Sequence, residues 1–341
     1  MPLSILTCSP YFTDLALNEL KRQTSDISPL STLSPDCLLL YTPTSFNKLT
    51  RFWRQRLPIY LHHLCPADFS VALKGTPNDL STLSDIIGHT VDVKHSLTIQ
   101  PRILEIDNRQ PDYTVVDIEE RLYREFQISS PVQAIPEGKI LSIAISPDGQ
   151  RWRAYFGVSW PHQNLSPWPG GVRPHSVDMP NRAGYKLLEA FETFQIKLRG
   201  DERVLDLGAA PGAWTIALRQ YGVQVTAVSP KPMYASLRKD RSIRYRKMTA
   251  ETYLKQVEGT FDFMTNDMGI AAQDSARLMV NYARYLRSTG LVVMTLKLRQ
   301  RNRRRLMSHS FRILRKAYKI VYVRQLVSNR KEVTLLLRKR S

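Results

Sequence analysis

The sequence predicts an α/β protein in two parts: an α+β region over residues 1–158, then a mostly parallel, doubly wound sheet over residues 181–341 closed by an antiparallel hairpin. Three observations carry this reading. RVLDLGA (203–209), VQVTAVS (223–229), FDFMTND (261–267) and GLVVMTLKL (290–298) are continuous apolar runs, as expected of strands buried on both faces. Helical patterns, GAWTIALRQYG (212–222) and SARLMVNYARYLRS (275–288), alternate with them, which is the signature of crossover helices on a parallel sheet. Between the two regions, SWPHQNLSPWPGGVRPHSVDMP (159–180) holds five prolines and the pair Gly170–Gly171, so neither a helix nor a central strand runs through it.

Taken in order, YFTDLALNELKRQ (11–23) places apolar residues at helical spacing and CLLLYTP (37–43) reads as a short strand. ILSIAISPDGQRWRAYFGVSW (140–160) reads as two strands around a Pro147-Asp148-Gly149 turn. The proline-rich stretch is expected to be an extended linker, with Trp160 and Trp168 packing it on a domain. NRAGYKLLEAF forms a helix ahead of the first strand of the sheet, and IVYVRQLV (320–327) with EVTLLLRKR (332–340) forms the closing hairpin. The boundaries expected are 1–60, 61–158, a linker at 159–180, and 181–341.

The chain has 341 residues, 43% of them hydrophobic, enough to bury substantial cores. Forty-nine Lys and Arg stand against 30 Asp and Glu, and the net charge of +19 favours a polyanionic partner, nucleic acid ahead of an acidic membrane surface. The segment Arg299–Ser341 supplies +14 of that charge, with Glu332 its one acid. Cys8, Cys37 and Cys65 are odd in number and irregularly spaced, which argues against a disulfide framework and for a reducing compartment. The first residues lack a basic region ahead of an apolar run, and no uncharged apolar run approaches ~18 residues, so a soluble cytoplasmic protein is expected, without a signal peptide or a membrane span. His62, His63 and Cys65 have no fourth ligand at a sensible spacing, so they read as packing and no metal is expected.

The chemistry begins at Asp206-Leu-Gly-Ala-Ala-Pro-Gly-Ala-Trp214, where a strand turns into a helix. Small residues let the backbone approach a ligand, and a helix start offers free N–H groups. The pattern is neither G-x-G-x-x-G nor a phosphate loop ending in GK[ST], so the ligand is not primarily a polyphosphate. Four ionisable residues belong to the same end of the sheet. Asp267 and Lys297 end parallel strands, and Glu332 starts a strand that runs the other way, so all three reach the rim where open α/β sheets bind ligands. Lys186 sits one residue off the stripe Leu187, Leu188, Phe191, Phe194, at the edge of its helix's buried face.

DLGAAPGAW resembles the S-adenosylmethionine loop of class I methyltransferases, a Rossmann-like fold, and specifically of FtsJ-type RNA ribose 2′-O-methyltransferases. That family is marked by a Lys–Asp–Lys–Glu tetrad, matched here by Lys186, Asp267, Lys297 and Glu332. The resemblance implies S-adenosylmethionine as cofactor, held by Asp206, Gly208, Ala209, Ala210, Pro211, Gly212, Ala213, Trp214, Ser229, Thr249 and Asp267. It implies Lys297 as the base that takes the ribose proton, with Lys186 lowering its pKa, Asp267 orienting it near the donor methyl, and Glu332 fixing the lysine geometry. Ser229 and Thr249 depart from the pattern, which usually places acids near those positions. RWRAYFGVSWPHQNLSPWPGG resembles the passage from RNA-binding to catalytic domain in THUMP-bearing methyltransferases, and is similar to the bacterial large-subunit rRNA cytidine 2′-O-methyltransferases. A small ferredoxin-like segment and a THUMP-like RNA-binding domain would then precede the catalytic one.

Two other methyl transfers are disfavoured. Base C5 methylation needs a cysteine nucleophile, and none occurs after Cys65. Exocyclic amino methylation resembles Asn/Asp-Pro-Pro-aromatic, whereas this chain reads Asn266-Asp267-Met268-Gly269. The expected partner is structured RNA, ribosomal RNA favoured over tRNA. Arg303, Arg304, Arg305, Arg312, Lys316 and Lys319 are its expected phosphate contacts, with 312, 316 and 319 on one helical face. The competing reading is a non-catalytic RNA-binding or ribosome-assembly factor on a methyltransferase fold.

Overall fold

The computed structural model describes residues 2–24, 27–92, 97–128, 138–172, 179–300 and 302–340. The chain divides into two compact units, Met1–Pro174 and His175–Ser341.

The first unit contains two four-stranded sheets. One has the order β2 (Ser28–Ser34), β3 (Cys37–Tyr41), β1 (Leu3–Cys8) and β4 (Leu61–Pro66), with helices α1 (Thr13–Gln23) and α2 (Phe46–Gln55) in its connections. Strand β4 pairs antiparallel with β1, Ile5 opposite Cys65, so the first sheet runs past the boundary expected at residue 60. Its residues alone give no reason to expect this, because β4 (LHHLCP) is a short mixed run whose partner lies about 60 residues upstream. The second sheet has the order β5 (Phe69–Leu73), β8 (Arg151–Ser159), β7 (Ile140–Asp148) and β6 (Thr98–Ile103). Helices α3 (Asp79–Thr90) and α4 (Val115–Glu125) bury Leu83, Ile87, Ile118 and Leu122 in one core with Leu141, Ile143 and Trp152. Strands β7 and β8 form the hairpin read from the sequence, with Asp148 opposite Arg151 and Gly149 at φ +59°.

The expected linker is corrected over its described part. Residues 161–163 and 169–171 form short 3-10 turns held to this unit: the Leu64 N–H donates to the Asn164 carbonyl at 3.1 Å and Gln100 donates to the Pro167 carbonyl at 2.9 Å. Trp168 is buried as expected, while Trp160 remains 44% exposed. Residues 173–178 of that stretch lie outside the described residues. His63 and Cys65 are buried in β4, and Cys8, Cys37 and Cys65 are all free thiols.

The second unit is a seven-stranded sheet flanked by helices. In chain order it comprises α5 (Arg182–Thr193), β9 (Arg203–Leu207), α6 (Ala213–Arg219), β10 (Gln224–Val228), α7 (Ala235–Lys239), β11 (Ile243–Arg246), α8 (Ala250–Leu254), β12 (Phe261–Asn266), α9 (Ala272–Tyr282), β13 (Leu286–Lys297), α10 (Arg303–Leu314), β14 (Tyr318–Arg324) and β15 (Glu332–Lys339). The strand order is β11-β10-β9-β12-β13-β15-β14, parallel from β11 to β13 and antiparallel for the last two. Two expectations shift. Helix α9 stops at Tyr282, not 288, and β13 begins at Leu286, which pairs with Phe261 ahead of the exposed Arg287, Ser288 and Thr289 that masked its start. Helix α10 ends at Leu314, and Lys319 lies in β14 opposite Arg338, so Arg312, Lys316 and Lys319 do not share a helical face.

Candidate active site

Sheet order alone sets three of the four tetrad residues side by side. Asp267 follows β12, Lys297 ends the neighbouring β13, and Glu332 opens β15, its Cα paired in register with that of Lys297. Lys186 arrives from α5, whose Leu187, Ala190 and Phe191 are buried in the core shared with β9 and α6. The helix starts where it does because the Asn181 side chain accepts from the Ala183 N–H at 2.9 Å, satisfying an end donor.

The four side chains close into a ring of alternating charge. Lys186 Nζ donates to Asp267 at 2.9 and 3.1 Å and meets Glu332 Oε1 at 2.7 Å. Lys297 Nζ donates to Asp267 Oδ1 at 2.5 Å and to Glu332 Oε2. The Thr295 hydroxyl, on the same strand face two residues before Lys297, also donates to Asp267 at 2.6 Å. Side-chain exposures run from 7% for Lys186 to 16% for Asp267, so the ring is mostly dry and both charges of each pair need their partners.

The electrostatics correct one expectation. Burial pulls the Lys297 ammonium down, but the Asp267 and Glu332 carboxylates outweigh it and hold Lys297 above the ordinary lysine range, not below it. Two carboxylates bracket the lysine, so the second ammonium does not dominate. For Asp267 burial pushes up, and Lys186 and Lys297 outweigh it and hold the carboxyl below its usual value.

Beside the ring lies the small-residue loop. Gly208 takes φ +78°, and a Cβ there would stand 2.5 Å from Met268 Cγ, so only glycine lets β9 turn against the Asp267–Met268 segment. The Gly208 and Ala209 N–H groups both donate to the Val228 carbonyl at 2.9 and 3.2 Å, so they are engaged within the sheet rather than free. Free donors at this turn are left to the start of α6, whose first N–H groups have no intrahelical acceptor. Trp214 is also committed: it is buried, and its indole N–H donates to the Ala183 carbonyl at 2.7 Å, joining α6 to α5. Asp206 lies beneath the loop with its two oxygens on Thr215 and Thr265, at 2.7 and 2.9 Å. Burial pushes its carboxyl up to about 6 against those two bonds.

Ser229 and Thr249 end at the same rim, after β10 and β11, and each accepts a backbone N–H, from Lys231 and Thr252. A hydroxyl that accepts in this way keeps its own proton to donate, so Ser229 can still serve a ligand hydroxyl, whereas the Thr249 hydroxyl also shares a hydrogen bond with that of Thr252 at 3.1 Å. The donor set fits a cationic methyl donor carrying a nucleoside: a carboxylate at the rim, two hydroxyls and a glycine turn.

Three residues escaped the sequence reading. Glu189 accepts from the Val327 and Ser328 N–H groups at 2.7 and 2.8 Å, and Arg182 donates to the carbonyls of Val327, Ser328 and Asn329. Both sit within a turn of Lys186 on α5, so the helix that carries one tetrad member also holds the loop leading to another. Their positions, four before and three after Lys186, were the available signal. Thr295 is the third. Of the expected RNA contacts, Arg304, Arg305, Arg312, Lys316 and Lys319 are exposed, whereas Arg303 is half-buried and its Nε donates to the Leu298 carbonyl at 3.1 Å.

A seven-stranded sheet with a reversed final hairpin, and an acid–lysine ring at the rim beside a glycine turn, define a class I methyltransferase domain. The family model described as FtsJ-like methyltransferase matches residues 179–319. FtsJ-like methyltransferases use S-adenosylmethionine. The ribosomal RNA large subunit methyltransferase M of Alkalilimnicola ehrlichii is 42% identical over 89 residues, 23% of this chain and 24% of that protein. The protein of the same name from Azoarcus sp. is 29% identical over 188 residues, 50% of each chain. The chain thus spans about half, or less, of the length of the curated relatives it matches. Among solved structures, TrmN from Thermus thermophilus covers 100% of both chains at 15% identity and a TM-score of 0.40.

Proposed function

We propose that this chain transfers a methyl group from S-adenosylmethionine to a ribose 2′-hydroxyl of large-subunit ribosomal RNA, in the cytoplasm, with its first unit, THUMP-like in part, binding the RNA. The observation that carries this reading is the closed ring of Lys186, Asp267, Lys297 and Glu332 at the rim of the sheet. The matched family and the printed names of the relatives support it.

When bound, S-adenosylmethionine supplies a methyl group on a cationic sulfur. The chain's own residues manage the proton. Lys297 Nζ is tethered between Asp267 and Glu332, which fixes its position. Both carboxylates favour the ammonium form, so accepting the ribose proton requires Lys297 to enter neutral. A cation placed beside Asp267 weakens that carboxylate's hold on the lysine proton and moves Lys297 toward the working range. Lys186, in contact with both carboxylates, keeps them in place and offers positive charge to a substrate phosphate. Much of the barrier reduction then comes from orientation.

The test is methyl transfer to large-subunit rRNA, read as ribose resistance to alkaline cleavage, with Lys297→Arg beside the wild type. Arginine keeps the charge and the donors but cannot act as a base, so activity should fall at least about 100-fold with cofactor affinity nearly intact. The raised pKa also fixes a sign: the neutral fraction of Lys297 grows with pH, so kcat should climb from neutrality toward alkaline pH. An active Lys297→Arg variant, or a flat profile, removes Lys297 as the base. The second reading, a non-catalytic RNA-binding factor, predicts that calorimetry detects no S-adenosylmethionine binding.

A further inference from the structure

The first unit contains a cleft of about 430 Å³ lined by Asn47, Thr50, Arg51 and Arg54 from α2, by Lys139, and by Val158, Ser159, Trp160, His162 and Gln163 at and beyond the end of β8. Its charge is one-sided. Arg51, Arg54 and Lys139 are exposed and contribute three positive charges, and no acidic residue is among those lining the cleft. Neither arginine has an ion pair or hydrogen bond among the described residues, so both guanidinium groups face solvent with five donors each.

The cleft also carries an aromatic platform. Trp160 is 44% exposed, unusually wet for a residue of its size, and Lys139 Nζ lies 5.9 Å from its ring centroid. The platform is rigidly mounted. The Trp160 N–H donates to Gln163 Oε1 at 2.8 Å, Gln163 Nε2 donates to Asn47 Oδ1 at 2.5 Å, and the Ser159 hydroxyl donates to Asn164 at 2.6 Å. These bonds tie the turn after β8 to α2, so the backbone that carries Trp160 keeps a fixed relation to the helix that carries Arg51 and Arg54. Burial and then Arg54 hold His162 below the ordinary histidine value, so at neutral pH it offers a ring nitrogen rather than a charge.

We infer that this cleft is a subsite for one unpaired nucleotide of the RNA substrate, its base stacked on Trp160 and its phosphates on Arg51 and Arg54. Guanidinium forks match phosphate oxygens, an aromatic face stacks on any base, and the two together are how proteins hold single-stranded nucleic acid. The cleft volume falls in the range that encloses a small ligand rather than a duplex. The inference rests on the proposed RNA methylation for the identity of the polymer, and adds a place where unpaired RNA is gripped in the first unit.

The test uses the full chain and a fluorescein-labelled single-stranded RNA of about 12 nucleotides, followed by anisotropy across a salt series. Arg51→Gln with Arg54→Gln should weaken binding about tenfold and lower the magnitude of the salt slope by about 1.4, the value for two lost contacts to a single strand. Trp160→Ala should weaken binding about tenfold with the slope unchanged, and Trp160→Phe should recover most of the loss, which a merely misfolded turn would not allow. A duplex of the same length should be indifferent to the tryptophan. Wild-type affinity and slope in the arginine variant would overturn the subsite. So would displacement of the RNA by polyglutamate at equal charge with no dependence on Trp160, which would mark an acidic protein partner. Both outcomes are independent of catalysis, since the wild type's methyl transfer to rRNA is measured separately.

Discussion

At the scale of single residues, Asp206 is the position whose chemistry is most constrained. It is 1% exposed beneath the loop, and its oxygens accept from the hydroxyls of Thr215 and Thr265, with no cation paired to it among the described residues. Its carboxyl rises from 3.8 unfolded to about 6 folded. A carboxyl raised in the fold contributes stability that is fully present below the unfolded value and is lost as pH rises through the folded one. Asp206 therefore weakens the fold progressively between pH 4 and pH 7. Asp206→Asn removes that dependence, so the stability of the wild type relative to the variant should fall by about 2 kcal/mol across that interval. Denaturant titrations at the two pH values measure it, and a constant difference would mean that the carboxyl titrates alike folded and unfolded. The ring behaves oppositely. Asp267, lowered, supports the fold above the unfolded value and loses its contribution as pH falls through the folded one, and Lys297, raised, supports it until pH climbs past its folded value.

At the scale of elements, α5 is a bracket. One face of it buries Leu187 and Phe191, Lys186 enters the ring, and Arg182 and Glu189 grip the backbone of Val327–Asn329. That loop is also held from within, since Asn329 accepts from the Leu326 N–H and the Thr334 hydroxyl. The consequence is that β15 begins where Glu332 can meet both lysines. Glu189→Ala leaves two loop N–H groups without their acceptor and should cost about 1–3 kcal/mol of stability. A generic loss of packing would not select the loop, so the informative readout is hydrogen exchange. Protection at Val327 and Ser328 should drop while that of β12 stays unchanged, and kcat should fall more than KM rises. Unaltered exchange at those two amides would mean that the carboxylate does not hold the loop.

At the scale of the whole molecule, the chain carries a net charge of +19, and its second unit holds a dry, charge-balanced site. Among the described residues no helix is long and apolar enough to cross a membrane. Arg304 and Arg305 open α10, where cations oppose the helix dipole, an arrangement relieved by an anion. Replacing both by Gln should weaken binding to rRNA and lower the salt slope by up to ~2, while leaving the methylated position unchanged, because phosphate contacts carry no sequence choice. An unaltered slope would return these two arginines to the role of a solvated surface.

How much of this was legible in the residues divides along a physical line. The apolar runs were readable because strands buried on both faces advertise themselves, and the tetrad because the family resemblance pointed to its residues and a strand's end is a place in space as well as in sequence. Lys297 and Glu332, 35 residues apart, could be set at one rim for that reason. What depended on long-range pairing was not readable. Strand β4 looks like any short mixed run until β1 claims it, β13 starts four residues earlier than its apolar stretch, and Lys319 follows a helix that has already ended. Internal commitments were equally hidden: nothing in DLGAAPGAW says that the Gly208 and Ala209 donors serve Val228, or that the indole of Trp214 serves Ala183.

The quartet of Lys186, Asp267, Lys297 and Glu332 also limits how such a protein can change over time. Its corners cancel two against two in a nearly dry enclosure, so neutralising any one of them strands an odd charge with little solvent to absorb it. Viable descendants must therefore retain all four or abandon them together. Among close kin these positions should be inherited as a block, even where the surrounding surface drifts freely.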